Sequence, residues 1–535
     1  MRILLSLSLL LAALTACSGT DRTEGLPLPA EAQKIMAKSI YEGATFAYRV
    51  EDADTGEVLY ERNASELIRI ASVRKLFSVG LAMEHLGADF RFRTPVYQQG
   101  TVTSGRLDGN LVLVAVGDLT MGGRRGTNES IAVTSIDHNT ANQVGNGVAL
   151  PQDPLVGYKE LAQQVAASGI TRVTGDVIVD DRLYRPFEFR GEFLANPVFV
   201  NDNVIDVEMS PTQVGQPAQV VASPVSAAFS VVSALQTVPG GGRPDVELEG
   251  GECFGTVGCQ GFLSGNLPVN GTPLYTEAYP QLLTFRVTDP SSFARTVFIE
   301  ALRGAGVAVT APTVTKNRSD LLPARGSYSA DARVAELVSS PFPKYASYIF
   351  ATSYNLGAET ALMLYGLTRG VDTHEEAQSA EAAELQASYD ISPSQYAFPE
   401  GSGGGETLAT PVAVNSLLRK MAKQGIASTF RDSLLKVGTP GPLTQIPGIS
   451  NDPTLAGAIG KISAKSGTTV GLADDGGNGF QLRTRASSGY IDSRSGRRLV
   501  FTLAVSDVGP VEEIPALVEV FEDIDVISAI LWKVL

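Results

Sequence analysis

Three short motifs spread along the chain set the strongest condition on its fold. They are Ser72-Val73-Arg74-Lys75, Ser353-Tyr354-Asn355 and Lys465-Ser466-Gly467-Thr468. Together they describe an active-serine site whose base is a lysine, so three distant segments must meet in one place. Each motif alone is weak. Ser433 to Lys436 repeats the Ser-x-x-Lys spacing, and Ser264 to Asn266 repeats Ser-x-Asn. The first repeat has no Ser-x-Asn between it and Lys465, and the second lies among glycines and prolines. Only the first set keeps the required order.

Ser72 and Lys75 are three apart, which on a helix puts them on one face about 4.5 Å apart along the axis. The residues that follow, Leu76, Phe77, Val79, Leu81, Ala82, Met83 and Leu86, are apolar nearly all round, as in a helix buried in a core. Burial depresses a lysine pKa, as does a second cation, and a neutral amine serves as a general base. A helix N-terminus at Ser72 favours developing negative charge. Taken alone, the tetrapeptide reads first as an N-capping serine with an exposed lysine; the two downstream motifs decide against that.

A serine–histidine site is disfavoured, because His85, His138 and His374 all lie outside the motifs. His85 reads as a helix C-terminal residue, and the other two fall in polar stretches expected to be exposed. No His-Glu-x-x-His or paired-cysteine spacing points to a metal, and no cofactor is expected.

The N-terminus reads as an export signal: Arg2, an apolar run from Ile3 to Ala13, then Leu14-Thr15-Ala16-Cys17. Small residues before a cysteine resemble the bacterial lipoprotein box, which implies cleavage before Cys17, lipidation there, and an anchor facing the periplasm. Ser18 in place of aspartate implies the outer membrane. The alternative is a plain secretory signal. In an exported chain, Cys253 and Cys259 around a glycine-rich loop read as a disulfide, with free thiols as the alternative. A net charge of −15 argues against a nucleic-acid partner, since phosphate binding needs clustered cations. Hydrophobic content of 44% supplies ample core, and the length calls for two or three domains.

Thr45 to Val50 and Val58 to Glu61 alternate around Asp54-Thr55-Gly56, a hairpin pattern. Arg483 to Ile491 and Leu499 to Val505 flank a second turn, and an amphipathic helix is expected from about Val511 to Lys533. These terminal segments suit one antiparallel sheet with helices on its faces. Between Lys75 and Ser353, Leu161 to Val179 loosely matches Phe298 to Val314. Each reads as helix, glycine turn and strand, around a β-rich middle from Val200 to Phe285.

With these residues in view, the chain resembles the class C low-molecular-mass penicillin-binding proteins, the D-alanyl-D-alanine carboxypeptidase/endopeptidase family. Gly175-Asp176-Val177-Ile178-Val179-Asp180, Asn201-Asp202-Asn203-Val204, Val287-Thr288-Asp289-Pro290, and Gly401-Ser402-Gly403 before Thr410-Pro411 add to the likeness. It implies an α/β (α+β) serine β-lactamase/transpeptidase-like domain, an antiparallel sheet flanked by helices, interrupted by a large insertion. The expected layout is a signal over 1–16, the peptidase domain over 17–90 plus 338–535, and an inserted region over 91–337. Within that region an outer part, 91–195 plus 286–337, encloses a β-rich part, 196–285.

The resemblance implies roles as well. Ser72 attacks the carbonyl of a D-Ala-D-Ala bond in a peptidoglycan stem peptide, and Lys75 takes its proton. Ser353 relays a proton to the leaving amine, Asn355 orients Lys75, and Lys465, on an edge strand, attracts the substrate carboxylate. Ser466 and Thr468 donate to that carboxylate, Gly467 leaves room, and the Ser72 and Thr468 amides form the oxyanion hole. Covalent binding of β-lactam antibiotics follows from the same site. Alternatives are a β-lactamase or esterase on this site, or a non-catalytic envelope-binding protein. Three departures stand out: Ser466 for the commoner threonine, Tyr354 where aspartate or asparagine is frequent and a changed pocket wall is expected, and a long stretch from Val470 to Gln481.

Overall fold

The structure is a computed structural model, describing residues 26–535 except 192, 275, 277, 440–445, 473–479 and 512–513. The signal segment, Cys17 and most of the Val470 to Gln481 stretch lie outside the described residues.

Thr45–Asp52 and Val58–Arg62 form the first expected hairpin. Its turn is held by Asp52, whose carboxylate accepts from the Asp54 and Thr55 amides at 3.1 and 2.9 Å. The second hairpin, Phe480–Asp492 with Arg498–Ser506, pairs with the first through Thr45–Asp52. The resulting antiparallel sheet has the order Val58–Arg62, Thr45–Asp52, Arg498–Ser506, Phe480–Asp492, Ile462–Leu472, Leu435–Lys436. Its two faces differ in side-chain size. Phe46, Tyr48, Val50, Leu499, Phe501, Leu503 and Val505 turn towards the C-terminal helix Ile514–Val534. Ala47, Ala486 and Ala504 turn the other way, where small residues let the helix Pro411–Met421 approach closely, in the core that also holds the helix Lys75–Leu86. Each large apolar side chain so buried contributes roughly 1.5 to 3 kcal/mol.

The chain leaves this unit at Arg91. Arg91–Thr103, Arg106–Val114 and Arg333–Pro341 build a second sheet, whose pairing runs on to Pro341. The two loosely similar segments take the same shape. Val156–Ala167 and Pro290–Gly304 are the helices, Gly169 and Gly306 turn with φ of 92° and 85°, and the strands Arg172–Val173 and Ala308–Val309 lie side by side in parallel. Between them, Val204–Ser210, Gln219–Ser223 and Gln281–Arg286 form one small sheet, and Gln260–Gly271 centres another. Cys253 and Cys259 are disulfide-bonded, with their Cα atoms 5.2 Å apart.

One piece of the inserted stretch crosses over to the catalytic side. The hairpin Phe187–Phe189 and Phe193–Ala195 buries Phe189 and Phe193 in the same core as the Lys75–Leu86 helix. Phe187 stacks on His374 at 4.1 Å between ring centres.

Two histidines differ from expectation. His374 is half-buried, 3.2 Å from a Glu359 oxygen. His138 is fully buried, with Nε2 2.7 Å from Asp202 and Nδ1 2.7 Å from Asp206. Burial opposes its charge, but the carboxylates of Asp206 and Asp202 outweigh that and hold its pKa at about 10. Arg124 donates to Asp202 at 2.6 Å and to Asp137 at 2.7 and 2.8 Å, so it fills the place a cation would take among these acids. A polar sequence context hid this because the partners are dispersed along the chain.

Candidate active site

The nucleophile turn is short. Ala71–Arg74 is a single 3₁₀ turn and the α-helix begins at Lys75, so Ser72 sits just before the helix rather than as its cap. Ala71 has φ of +45°, a conformation that a residue with a Cβ adopts only when its surroundings enforce it. Those surroundings are glycines. A Cβ on Gly403 would meet the Ala71 carbonyl at 2.2 Å, and one on Gly467 would meet the Ile70 carbonyl at 2.2 Å and the Ser72 nitrogen at 3.0 Å. Two backbones are thus pressed against the turn that presents Ser72. The room for close approach that the family resemblance implied for Gly467 is thus taken up by the nucleophile turn itself.

Lys75 is completely buried. Its Nζ lies 3.0 Å from Ser72 Oγ, 2.9 Å from Asn355 Oδ1 and 2.5 Å from the Ser402 carbonyl oxygen. Burial is the largest influence on its pKa, followed by the charges of Lys465 and Arg190, and together they hold it well below the ordinary lysine value against Glu359 and Glu400. A neutral amine has two hydrogens and one lone pair. Asn355 Oδ1 and the Ser402 carbonyl can only accept, so they take the two hydrogens and leave the lone pair for the Ser72 hydroxyl. That geometry suits general-base removal of the hydroxyl proton.

Ser353 occupies the left-handed position, φ 55°, that ends the helix Phe342–Thr352. Its Oγ accepts from Lys465 Nζ at 3.2 Å, which joins the second motif to the third. Lys465 also donates to the Ser466 carbonyl at 2.7 Å and is 2% exposed. Burial and the nearby Arg485 lower its pKa to about 7. Its strand, Ile462–Leu472, pairs on one side with Phe480–Asp492, while Leu435–Lys436 covers only Ser463 and Ala464 on the other. Among the described residues no strand pairs with that side from Lys465 to Thr468, which leaves it an open edge. Ser466 and Thr468 are half-buried there, and Thr468 Oγ1 accepts from Arg485 at 3.1 Å.

Tyr354 does not form a pocket wall. It is buried, with its hydroxyl directed to the Asp202 carbonyl at 3.3 Å and its ring 5.2 Å from that of Tyr348. The two repeated motifs fall away as well. Ser433 bonds to the Thr429 carbonyl at 2.9 Å while Lys436 turns to Ser463 at 2.7 Å, and Ser264 lies in the strand Gln260–Gly271.

The family model for the D-Ala-D-Ala carboxypeptidase 3 (S13) family matches residues 28–519. The chain belongs to that family. A D-alanyl-D-alanine carboxypeptidase of Actinomadura sp. (strain R39) is 26% identical over 525 residues, covering 92% of this chain and 82% of the relative. Penicillin binding protein 4 of Haemophilus influenzae superposes with a TM-score of 0.66 at 16% identity, over 94% of this chain and 100% of the other. This S13 chain is accordingly a serine-type D-Ala-D-Ala carboxypeptidase with the fold of the penicillin-binding proteins.

Several residues around the two lysines escaped the sequence motifs. Arg190, Glu400, Glu359 and Arg485 all act on the two lysines, yet none belongs to a motif. Gly401-Ser402-Gly403 was the one available signal, and it carries the carbonyl that Lys75 bonds.

Proposed function

We propose that Ser72 is the nucleophile, Lys75 its base, and the product an acyl-enzyme that water releases. The placement of Lys75 Nζ between Ser72 Oγ and two obligate acceptors carries this reading. Ser353, bonded to Lys465, passes a proton to the leaving amine. Lys465, Ser466 and Thr468 receive the terminal carboxylate along the open strand edge, and the Ser72 and Thr468 amides stabilise the oxyanion at about 3 kcal/mol per donor. β-Lactams acylate Ser72 by the same attack; a Haemophilus penicillin binding protein 4 complexed with a β-lactam, of like fold, supports this. Cys17 carries lipid and anchors the enzyme to a bacterial membrane facing the periplasm, where peptidoglycan is the substrate. Among the described residues no helix is long and apolar enough to cross a membrane.

Intact-mass analysis after penicillin treatment should show one adduct on wild type and none on Ser72→Ala; an adduct surviving in the variant refutes the assignment. Lys75→Arg keeps the charge permanently, so it should lose at least about 100-fold in acylation rate. Weighing the products from purified muropeptides then separates release of a terminal D-alanine from cutting of cross-links.

A further inference from the structure

We propose that Arg190, carried in from the inserted stretch by the Phe187–Ala195 hairpin, is a positioning residue that keeps Lys75 neutral and correctly oriented. The inference rests on Lys75 being the base. Arg190 donates through Nε to both Glu400 oxygens at 2.8 and 3.0 Å and through Nη2 to Ser402 Oγ at 2.9 Å. Ser402 Oγ donates in turn to Glu400 at 2.9 Å, and the Gly404 amide donates to the same carboxylate at 2.6 Å. The guanidinium therefore closes a ring around Ser402, the residue whose carbonyl takes a Lys75 hydrogen. From the other side, Arg74 holds the Glu400 carbonyl at 3.0 Å and Ser78 holds the Gly401 carbonyl at 2.8 Å. A carbonyl fixed on both flanks cannot swing away when Lys75 gains and loses its proton.

The charges around Lys75 come from four elements. Lys465 lies on the Ile462–Leu472 strand, Glu359 on the helix Asn355–Thr368 beside His374, Glu400 on the loop, and Arg190 on the hairpin. Glu359 and Glu400 favour a protonated Lys75, and Lys465 and Arg190 disfavour it. Lys465 itself titrates near pH 7, so its contribution fades above neutrality. The hairpin delivers the Arg190 cation because Phe189 and Phe193 are seated in the catalytic core on either side of the turn, and Arg190 has the positive φ of 55° that such a turn needs.

The test is the pH profile of acylation by a neutral thioester between about pH 5 and 10, for purified wild type, Arg190→Gln, Arg190→Lys and Glu400→Gln. Removing the cation raises the Lys75 pKa, so Arg190→Gln should move the acid limb up by about one pH unit, with about a tenfold loss on the limb that recovers at high pH. Arg190→Lys keeps the charge and should hold the limb near wild type. Glu400→Gln removes an anion and should move the limb down. Opposite shifts from two sides of one ion pair are not what simple loosening produces. An unmoved limb in Arg190→Gln, or a loss equal at every pH, overturns the proposal. If that variant does not fold, an unmoved or raised limb in Glu400→Gln overturns it instead. Lys75→Arg is run alongside: an active Lys75→Arg defeats the base assignment, whereas an inactive one with an unmoved Arg190→Gln limb defeats only the Arg190 role. Arg185→Gln, at an exposed position on the same stretch, serves as the control with an unchanged profile.

Discussion

Lys465 illustrates how burial converts a recognition residue into a pH-sensitive one. With a pKa of about 7 it is charged below neutrality and neutral above it. A substrate carboxylate binds the charged form, so the KM for a D-Ala-D-Ala peptide should rise up to about tenfold per unit above pH 7, while the KM for a neutral thioester stays level. Lys465→Ala should likewise harm the peptide more than the thioester, by roughly 1.5 to 3 kcal/mol; equal harm would count against carboxylate recognition. Gly467→Ala should lose about 100-fold or more in acylation rate, because its Cβ falls 2.2 Å from the Ile70 carbonyl and must displace the nucleophile turn by an ångström or so. The motif residues were legible because their chemistry depends on local order and spacing. Arg485 and Arg190 were not, since each acquires its meaning only from a partner far along the chain, Thr468 and Asp525 for one and Glu400 for the other.

Hairpins and helices are the elements in which period and turn chemistry speak most directly, and here they did. Both terminal hairpins, the glycine-turned helix and strand pairs, and the C-terminal helix formed where alternation, Gly and apolar spacing placed them; that helix is described over Ile514–Val534. The Phe187–Ala195 hairpin gave no such signal, because its strands are three residues each and its apolar residues serve a core formed by other segments. The disulfide belongs to this scale too. Cys253 and Cys259 close a small loop, worth about 2 kcal/mol by chain entropy; Cys259 lies in the core of the inserted sheets, with Cys253 partly buried against it, rather than in that of the Lys75 helix. Replacing both by serine should lower the melting temperature by a few degrees and leave penicillin acylation of Ser72 unchanged; a matching fall in acylation would mean that the inserted sheets support the site directly.

At the scale of the whole molecule, the export reading makes its own prediction. Cys17→Ser should leave the protein soluble in the periplasm or unprocessed, as judged by fractionation and mass; processing and membrane association identical to wild type would refute lipidation. The paired termini have a further consequence, for the order of folding during biosynthesis. Thr45–Asp52 is bonded along its whole length to Arg498–Ser506, near the other end of the chain. The strand that supplies Lys465 is thus joined to the nucleophile's half only after almost everything has been made. The sheets between Arg91 and Pro341 pair largely among themselves and need not wait. Contacts of such long range form slowly. Pulse-labelled hydrogen exchange during refolding should therefore protect the inserted sheets first and the catalytic sheet last. A nascent chain would then be unable to react with a β-lactam until its final strands arrive.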